Sequence, residues 1–184
     1  MPGRTRGRSG NAILEFTLVG IPVIFLLISI FEIARGMWLY HTLAYAVKEG
    51  VRFAIVNGED CAAIPGCPVT IADIANHIRL AAVGLADTEL EITLTSMRQS
   101  ASQGAVINGT PVNCAPLRAC LSRTSQPADL WPPAGGNRPK VDTVLISGAY
   151  PFRSAIAMFW PGAGGGMQFG TFRLPASSME VIQF

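Results

Sequence analysis

Glu15 is the only charged side chain between Ala12 and Phe31, and it lies five residues after Gly10 and directly before Phe16. A carboxylate in such surroundings costs free energy unless it is paired or held at an interface, so the chemistry it offers is ion pairing with a cation or an amine. The four cysteines form two similar sets, since Cys61 and Cys67 enclose as many residues as Cys114 and Cys120. Thiols bind zinc or close disulfides. The spacing is not CxxC and His77 is the only nearby imidazole, which disfavours zinc. Three disulfide pairings are possible, and the two local ones are expected. His41 and His77 read as polar-face helix residues, and Glu59-Asp60 and Glu89/Glu91 as ordinary turn and strand charges. No serine-elbow, HExxH or Walker pattern is present, and no lysine follows the glycines at Gly162–Gly166. Asn108-Gly109-Thr110 fits a glycosylation sequon but reads better as a turn. The sequence therefore names no catalytic residue, no metal ligands and no cofactor.

The elements that must position these residues begin with the apolar stretch. Hydrophobic residues make up 49% of the chain and charged ones 14%, against about a quarter in ordinary soluble domains. Much of that excess lies in Ala12–Phe31, which is roughly the 20 residues a helix needs to cross a hydrocarbon core. Arg4, Arg6 and Arg8 precede it and account for the net charge of +2, because without them acidic residues are in slight excess. That placement argues against a nucleic-acid-binding face and for a cytoplasmic N-terminus, with the rest of the chain across the membrane. A cleaved secretory signal is disfavoured, since Ala44-Tyr45-Ala46 lies well beyond the apolar run with Glu32, Arg35 and His41 between. Export to an oxidising compartment is what favours disulfides.

Past Phe31, the spacing of Ile33, Met37, Tyr40, Leu43, Ala44 and Val47 predicts that the helix continues with one apolar face, until Asn57-Gly58 stops it. Met37, Trp38 and Tyr40 suit an interfacial aromatic belt. Thr70 is placed to cap a helix from Ile71 to about Leu85, and Leu90–Leu94 alternates as a half-buried strand. Residues 99–140, rich in Gly, Pro, Ser and Asn, read as loop. Val141–Tyr150, Gln168–Leu174 and Met179–Phe184 are expected to complete an antiparallel sheet. The expected fold is α+β: a long N-terminal transmembrane and amphipathic helix bearing a small head with a helix and an antiparallel sheet.

Basic residues, then Gly10-Asn11-Ala12-Ile13-Leu14-Glu15-Phe16, then a long apolar helix resemble the processing site of type IV prepilins of the Flp (Tad) class. Further on, Phe31-Glu32-Ile33-Ala34-Arg35-Gly36 and Ala44–Ala54, with its Glu49-Gly50-Val51-Arg52-Phe53-Ala54, resemble the TadE-like pseudopilins. Tyr150-Pro151-Phe152-Arg153 and Ser177-Ser178-Met179-Glu180-Val181 look similar to that family more weakly. The resemblance implies a leader over 1–10, a helix over 11–56 and a periplasmic head over 57–184. It implies cleavage by a prepilin peptidase between Gly10 and Asn11, and pairing of Glu15 with the new α-amine, often that of a neighbouring subunit. Implied partners are that peptidase, the major Flp pilin, other minor pseudopilins, the inner-membrane assembly platform and membrane lipid, with no nucleic acid. The implied role is a non-enzymatic minor subunit in assembly or initiation of the pilus, sited in a bacterial inner membrane. The alternatives are a membrane-anchored periplasmic binding protein unrelated to pili and, third, an anchored enzyme. Neighbouring genes for a prepilin peptidase and a secretion ATPase would separate the first two readings.

Overall fold

The structure, a computed structural model, describes residues 9–56, 69–99, 106–109, 111–124, 126, 129–131, 143–154 and 171–181. Helix α1 runs unbroken over Ser9–Val56, which at 1.5 Å per residue is about 72 Å. It begins two residues before the expected start at Asn11. Pro22 lies inside it and removes one backbone donor from the ladder. The hydroxyls in the apolar stretch bond back into the helix: Thr17 Oγ1 donates to the Leu14 carbonyl at 3.0 Å and Ser29 Oγ to that of Phe25 at 2.8 Å. Such bonds satisfy polar side chains where no water is available to do so.

α1 has two unlike halves. From Ala12 to Phe31 almost every residue is exposed. From Leu39 onward one stripe is buried: Leu39, Leu43, Ala46, Val47, Gly50, Val51 and Ala54. This corrects the expected face. Leu43 and Val47 belong to it, whereas Ile33, Met37 and Tyr40 are exposed. The three- and four-residue spacing is right, but the packed stripe starts at Leu39, where the head begins to cover the helix.

Helix α2 spans Ile71–Ala81 and carries a reciprocal cap. Asp73 N–H donates to Thr70 Oγ1 at 3.2 Å, and Thr70 N–H donates to the Asp73 carboxylate at 2.9 Å. That satisfies two of the donors that a helix start leaves open. Ile71, Ala72, Ile74, Ala75 and Ile78 are buried. The helix stops four residues short of the expected Leu85, because Ala82 leaves helical geometry and Gly84 turns the chain at φ +86°. A Cβ on Gly84 would lie 2.5 Å from Trp38, so the turn passes closely over the indole.

Strand β1 is Glu91–Gln99, β2 Val106–Asn108, β3 Val112–Cys114, β4 Thr143–Arg153 and β5 Thr171–Val181. The antiparallel sheet has the order β2-β1-β4-β5, and β3 also pairs with β1. Several expectations change here. β1 runs on to Gln99 because it is laddered to β4 from Glu91↔Ala149 to Met97↔Thr143, and then to β2. β2 and β3 lie in the region read as loop, where strands of three residues are too short to show a period. β4 reaches Arg153. The last two expected strands are a single one, with Pro175 opposite Ala149. A missing donor is tolerable there, because among the described residues β5 pairs only with β4 and so forms an edge.

The sheet lays Ile92, Leu94, Val144, Ile146 and Gly148 against α1 and α2 in one core. Gly50 and Gly148 permit that approach. A Cβ at Gly50 would lie 2.5 Å from Ile78 Cγ1, and one at Gly148 would lie 2.9 Å from Val47 Cγ2. Gly50→Val should therefore destabilise the head by about 1–3 kcal/mol, the usual cost of overpacking. Thermal unfolding of the detergent-solubilised protein, followed by near-UV circular dichroism, measures this, and an unchanged midpoint contradicts the packing described.

Candidate functional site

The sequence-derived processing residues occupy the free end of α1. Gly10 and Asn11 lie in its first turn, where backbone N–H groups lack intrahelical partners and unwinding is easiest. Glu15 and Phe16 follow and are exposed, Phe16 by 77%. Glu15 has no ion-pair partner among the described residues.

The stretch that follows is long and apolar enough to cross a membrane, and its most apolar window has 0% of its residues buried in the protein. A core helix of that composition would be covered by its own fold. Here Leu18, Ile24, Leu26 and Phe31 stand bare, and so large an exposed apolar surface marks a site of contact with lipid or another chain.

Where the bare half meets the head, one arginine ties α1 to the end of β4. Arg35 on α1 donates to the Arg153 carbonyl at 3.2 Å, lies 5.3 Å over the Phe152 ring and faces Glu32 at 3.8 Å. Phe152 also packs beside Gly36. The acidic residues read as ordinary charges have partners at the same end of the sheet: Glu89 pairs with Arg153 at 3.0 Å and Glu91 with Arg173. Each bridge is exposed and worth little alone. Together with the Tyr150 hydroxyl, which accepts from Ala86 N–H at 3.5 Å, they tie the ends of β4 and β5 to β1 and to the turn that precedes it. Sequence reasoning passed over Arg35 as a site residue, although a lone cation four residues after an apolar run is a usable signal of an interfacial anchor.

Cys114 and Cys120 form a disulfide with a Cα–Cα distance of 5.4 Å, as the local pairing anticipates. It joins β3 to a short 3₁₀ turn at Leu117–Cys120, and Leu117 N–H donates to the Leu90 carbonyl at 2.6 Å. Cys61, Cys67 and Glu59-Asp60 lie outside the described residues. His77 stacks on Phe53 with ring centroids 4.6 Å apart, and His41 meets Tyr40 edge-on at 5.9 Å. Among the described residues no group of His, Cys, Asp and Glu could hold a metal.

The class this defines is an α+β head carried on a single helix capable of spanning a membrane. A family model described as TadE-like protein matches residues 10–52, so the helix segment is TadE-like from Gly10 to Arg52. No curated protein and no solved structure matches the chain.

The bridge between Cys114 and Cys120 makes a direct prediction. Both thiols should resist alkylation in the native protein until reductant is added. Replacing both by alanine should cost about 2 kcal/mol in the chain-entropy account of so short a loop. Ready labelling of either residue before reduction contradicts the bridge.

Proposed function

We propose that this chain is a minor pilin-like subunit of a Tad-type pilus, with α1 in the bacterial inner membrane and the head on the periplasmic side. The observation that carries the reading is a coincidence of limits. The TadE-like match begins at Gly10, the residue where the resemblance puts the cut, and it runs along a helix whose lower half has no covering of its own. The subunit acts by packing and binding. Its helix lies beside pilin helices in the bilayer, and its head presents a surface to the assembling fibre. The major Flp pilin, other minor pseudopilins, the prepilin peptidase and the inner-membrane platform are its proposed partners.

In this reading Glu15 serves assembly. Cleavage between Gly10 and Asn11 leaves an α-amine on Asn11, four residues before Glu15, and the amine of a neighbouring copy or pilin would offset the cost of a carboxylate in lipid. Support comes from the exposure of Glu15 and from the lack of a described partner within the chain. Because the pair forms only at one axial register, it would also align neighbouring helices.

Mass spectrometry of the mature N-terminus tests the processing step. In cells with an active prepilin peptidase the chain should begin at Asn11, and Gly10→Glu should leave the longer precursor in the membrane. A mature chain beginning at Met1 or Pro2 would falsify the assignment.

Glu15→Leu tests the assembly step. The variant should still insert and be cut, while crosslinking to pilin partners falls roughly ten- to a hundredfold, as expected from losing a charge-assisted hydrogen bond of about 1.5–3 kcal/mol. Unchanged crosslinking and piliation would make Glu15 a bystander, and loss of cleavage would assign it to peptidase recognition.

A further inference from the structure

We infer that the end of the head nearest the bare half of α1 is a second membrane contact, a lipid-facing base formed by Trp38, Val83 and Phe172 with Arg35 at phosphate level. The inference rests on the reading of α1 as the membrane anchor and adds to it that the head lies on the bilayer surface and does not stand off on a stalk.

Height along the helix carries the argument. Ala12–Phe31 spans about 30 Å as a helix, which equals the hydrocarbon thickness. With that stretch in the core, Arg35 stands about 6 Å above the hydrocarbon edge and Trp38 about 10 Å. The headgroup layer on each side is roughly 5–7 Å deep. Arg35 thus reaches the phosphates, while the Trp38 backbone stands about 3–5 Å beyond the layer, and the lean of a helical side chain toward the helix N-terminus carries its indole back toward the outer edge. The head does not start higher up. Arg35 bonds to Arg153 and Gly36 packs on Phe152, which brings the end of β4 down to this level. Phe172 pairs with Phe152 across the sheet, so β5 enters at the same height.

Three separate segments place apolar side chains in solvent there. Trp38 on α1 is 53% exposed, Val83 in the turn after α2 is 65% exposed, and Phe172 on β5 is 61% exposed. Val83 is tied to the level of Trp38 by Gly84, whose Cα sits against the indole. An isolated exposed apolar residue needs no explanation. Three from different elements, gathered around a helix at the depth where a bilayer surface falls, match the interfacial preference of aromatic and amphipathic side chains.

The charges at the base set the kind of lipid contact. Arg35, Arg153 and Arg173 are matched by Glu32, Glu89 and Glu91. The base is electrically balanced, so it holds the surface by apolar insertion, with Arg35 at the phosphates, and not by attraction to anionic lipid. A tilt of α1 of the usual ~20° lowers these heights by little and keeps the base in the interface.

Site-directed spin labelling in phosphatidylcholine nanodiscs tests the inference. Nitroxides are attached through Phe172→Cys, Val83→Cys, Val181→Cys and Leu18→Cys in the oxidised full-length protein, with the unsubstituted chain carried through labelling as the blank. The four positions are exposed, so the core is left intact, and unchanged melting confirms the fold of each. Val181 lies at the other end of β5, about 30 Å from Phe172 along the strand. The expected result is an oxygen-to-nickel-complex collision ratio several-fold higher at 172 and at 83 than at 181, little changed when anionic lipid is added. With the Leu18 label in lipid, ratios at 172 and 83 equal to that at 181 overturn the lipid-facing base and leave the anchor standing. A lipid-like ratio at one of the two positions but not the other overturns the surface as stated. Shielding of both positions from both reagents means that protein covers the base, which also overturns it. An aqueous Leu18 label overturns the anchor, and this inference with it.

Discussion

The buried stripe of α1 from Leu39 to Ala54 is the seat on which α2, β4 and β5 rest, and β4 in turn carries β1 with the strands paired to it. α2 reaches it at Gly50, and β4 reaches it at Leu43 and Val47 through Gly148. Glycine at both places lets main chain replace side-chain bulk, so three elements meet in one layer of small separation. Each fully buried aliphatic side chain there contributes on the order of 1.5–3 kcal/mol, and the stripe supplies a run of them from one rigid rod. Without the helix the sheet would have one apolar face in water, and α2 would lose the element it packs on most extensively.

Because the same rod continues downward as the bare half, the head cannot choose its orientation relative to the apolar segment. Arg35, Gly36 and Phe152 make the junction, and the pairs Glu89–Arg153 and Glu91–Arg173 brace the strand ends beside it. A continuous helix transmits position and axial rotation without slack. If α1 packs beside other helices in a membrane as proposed, this fixes which part of the head lies near the bilayer and which part points outward. It also couples the register of Glu15, at the far end of the rod, to the placement of the head.

The remainder of the head is stabilised by local devices. The Thr70–Asp73 cap starts α2. Buried Asp129 accepts from Arg123 Nε and from Gln126 N–H, both at 3.0 Å, so its charge is paired inside a short loop. The disulfide between Cys114 and Cys120 fastens the 3₁₀ turn to β3. Such staples suit a small domain whose core is shared with a helix that leaves it.

The sequence by itself determined the features that depend on neighbours along the chain. Ala12–Phe31 shows its apolar length directly, Gly10 and Glu15 show their spacing, Thr70 announces its cap, and Leu90–Leu94 shows its alternation. These are properties of contiguous or closely spaced residues, which the order of residues alone records. Tertiary structure decided what depends on contacts distant in sequence. It chose the stripe beginning at Leu39 over one beginning at Ile33, since either fits helical spacing and only the position of the sheet buries one of them. It ended α2 at Ala81 so that Gly84 could cross Trp38, joined residues on both sides of Pro175 into one edge strand, and gave β2 and β3 their pairing with β1. It also brought Arg35 to Phe152 and Arg153, more than a hundred residues later, because the β4 ladder runs back down α1 to the point where its buried half ends.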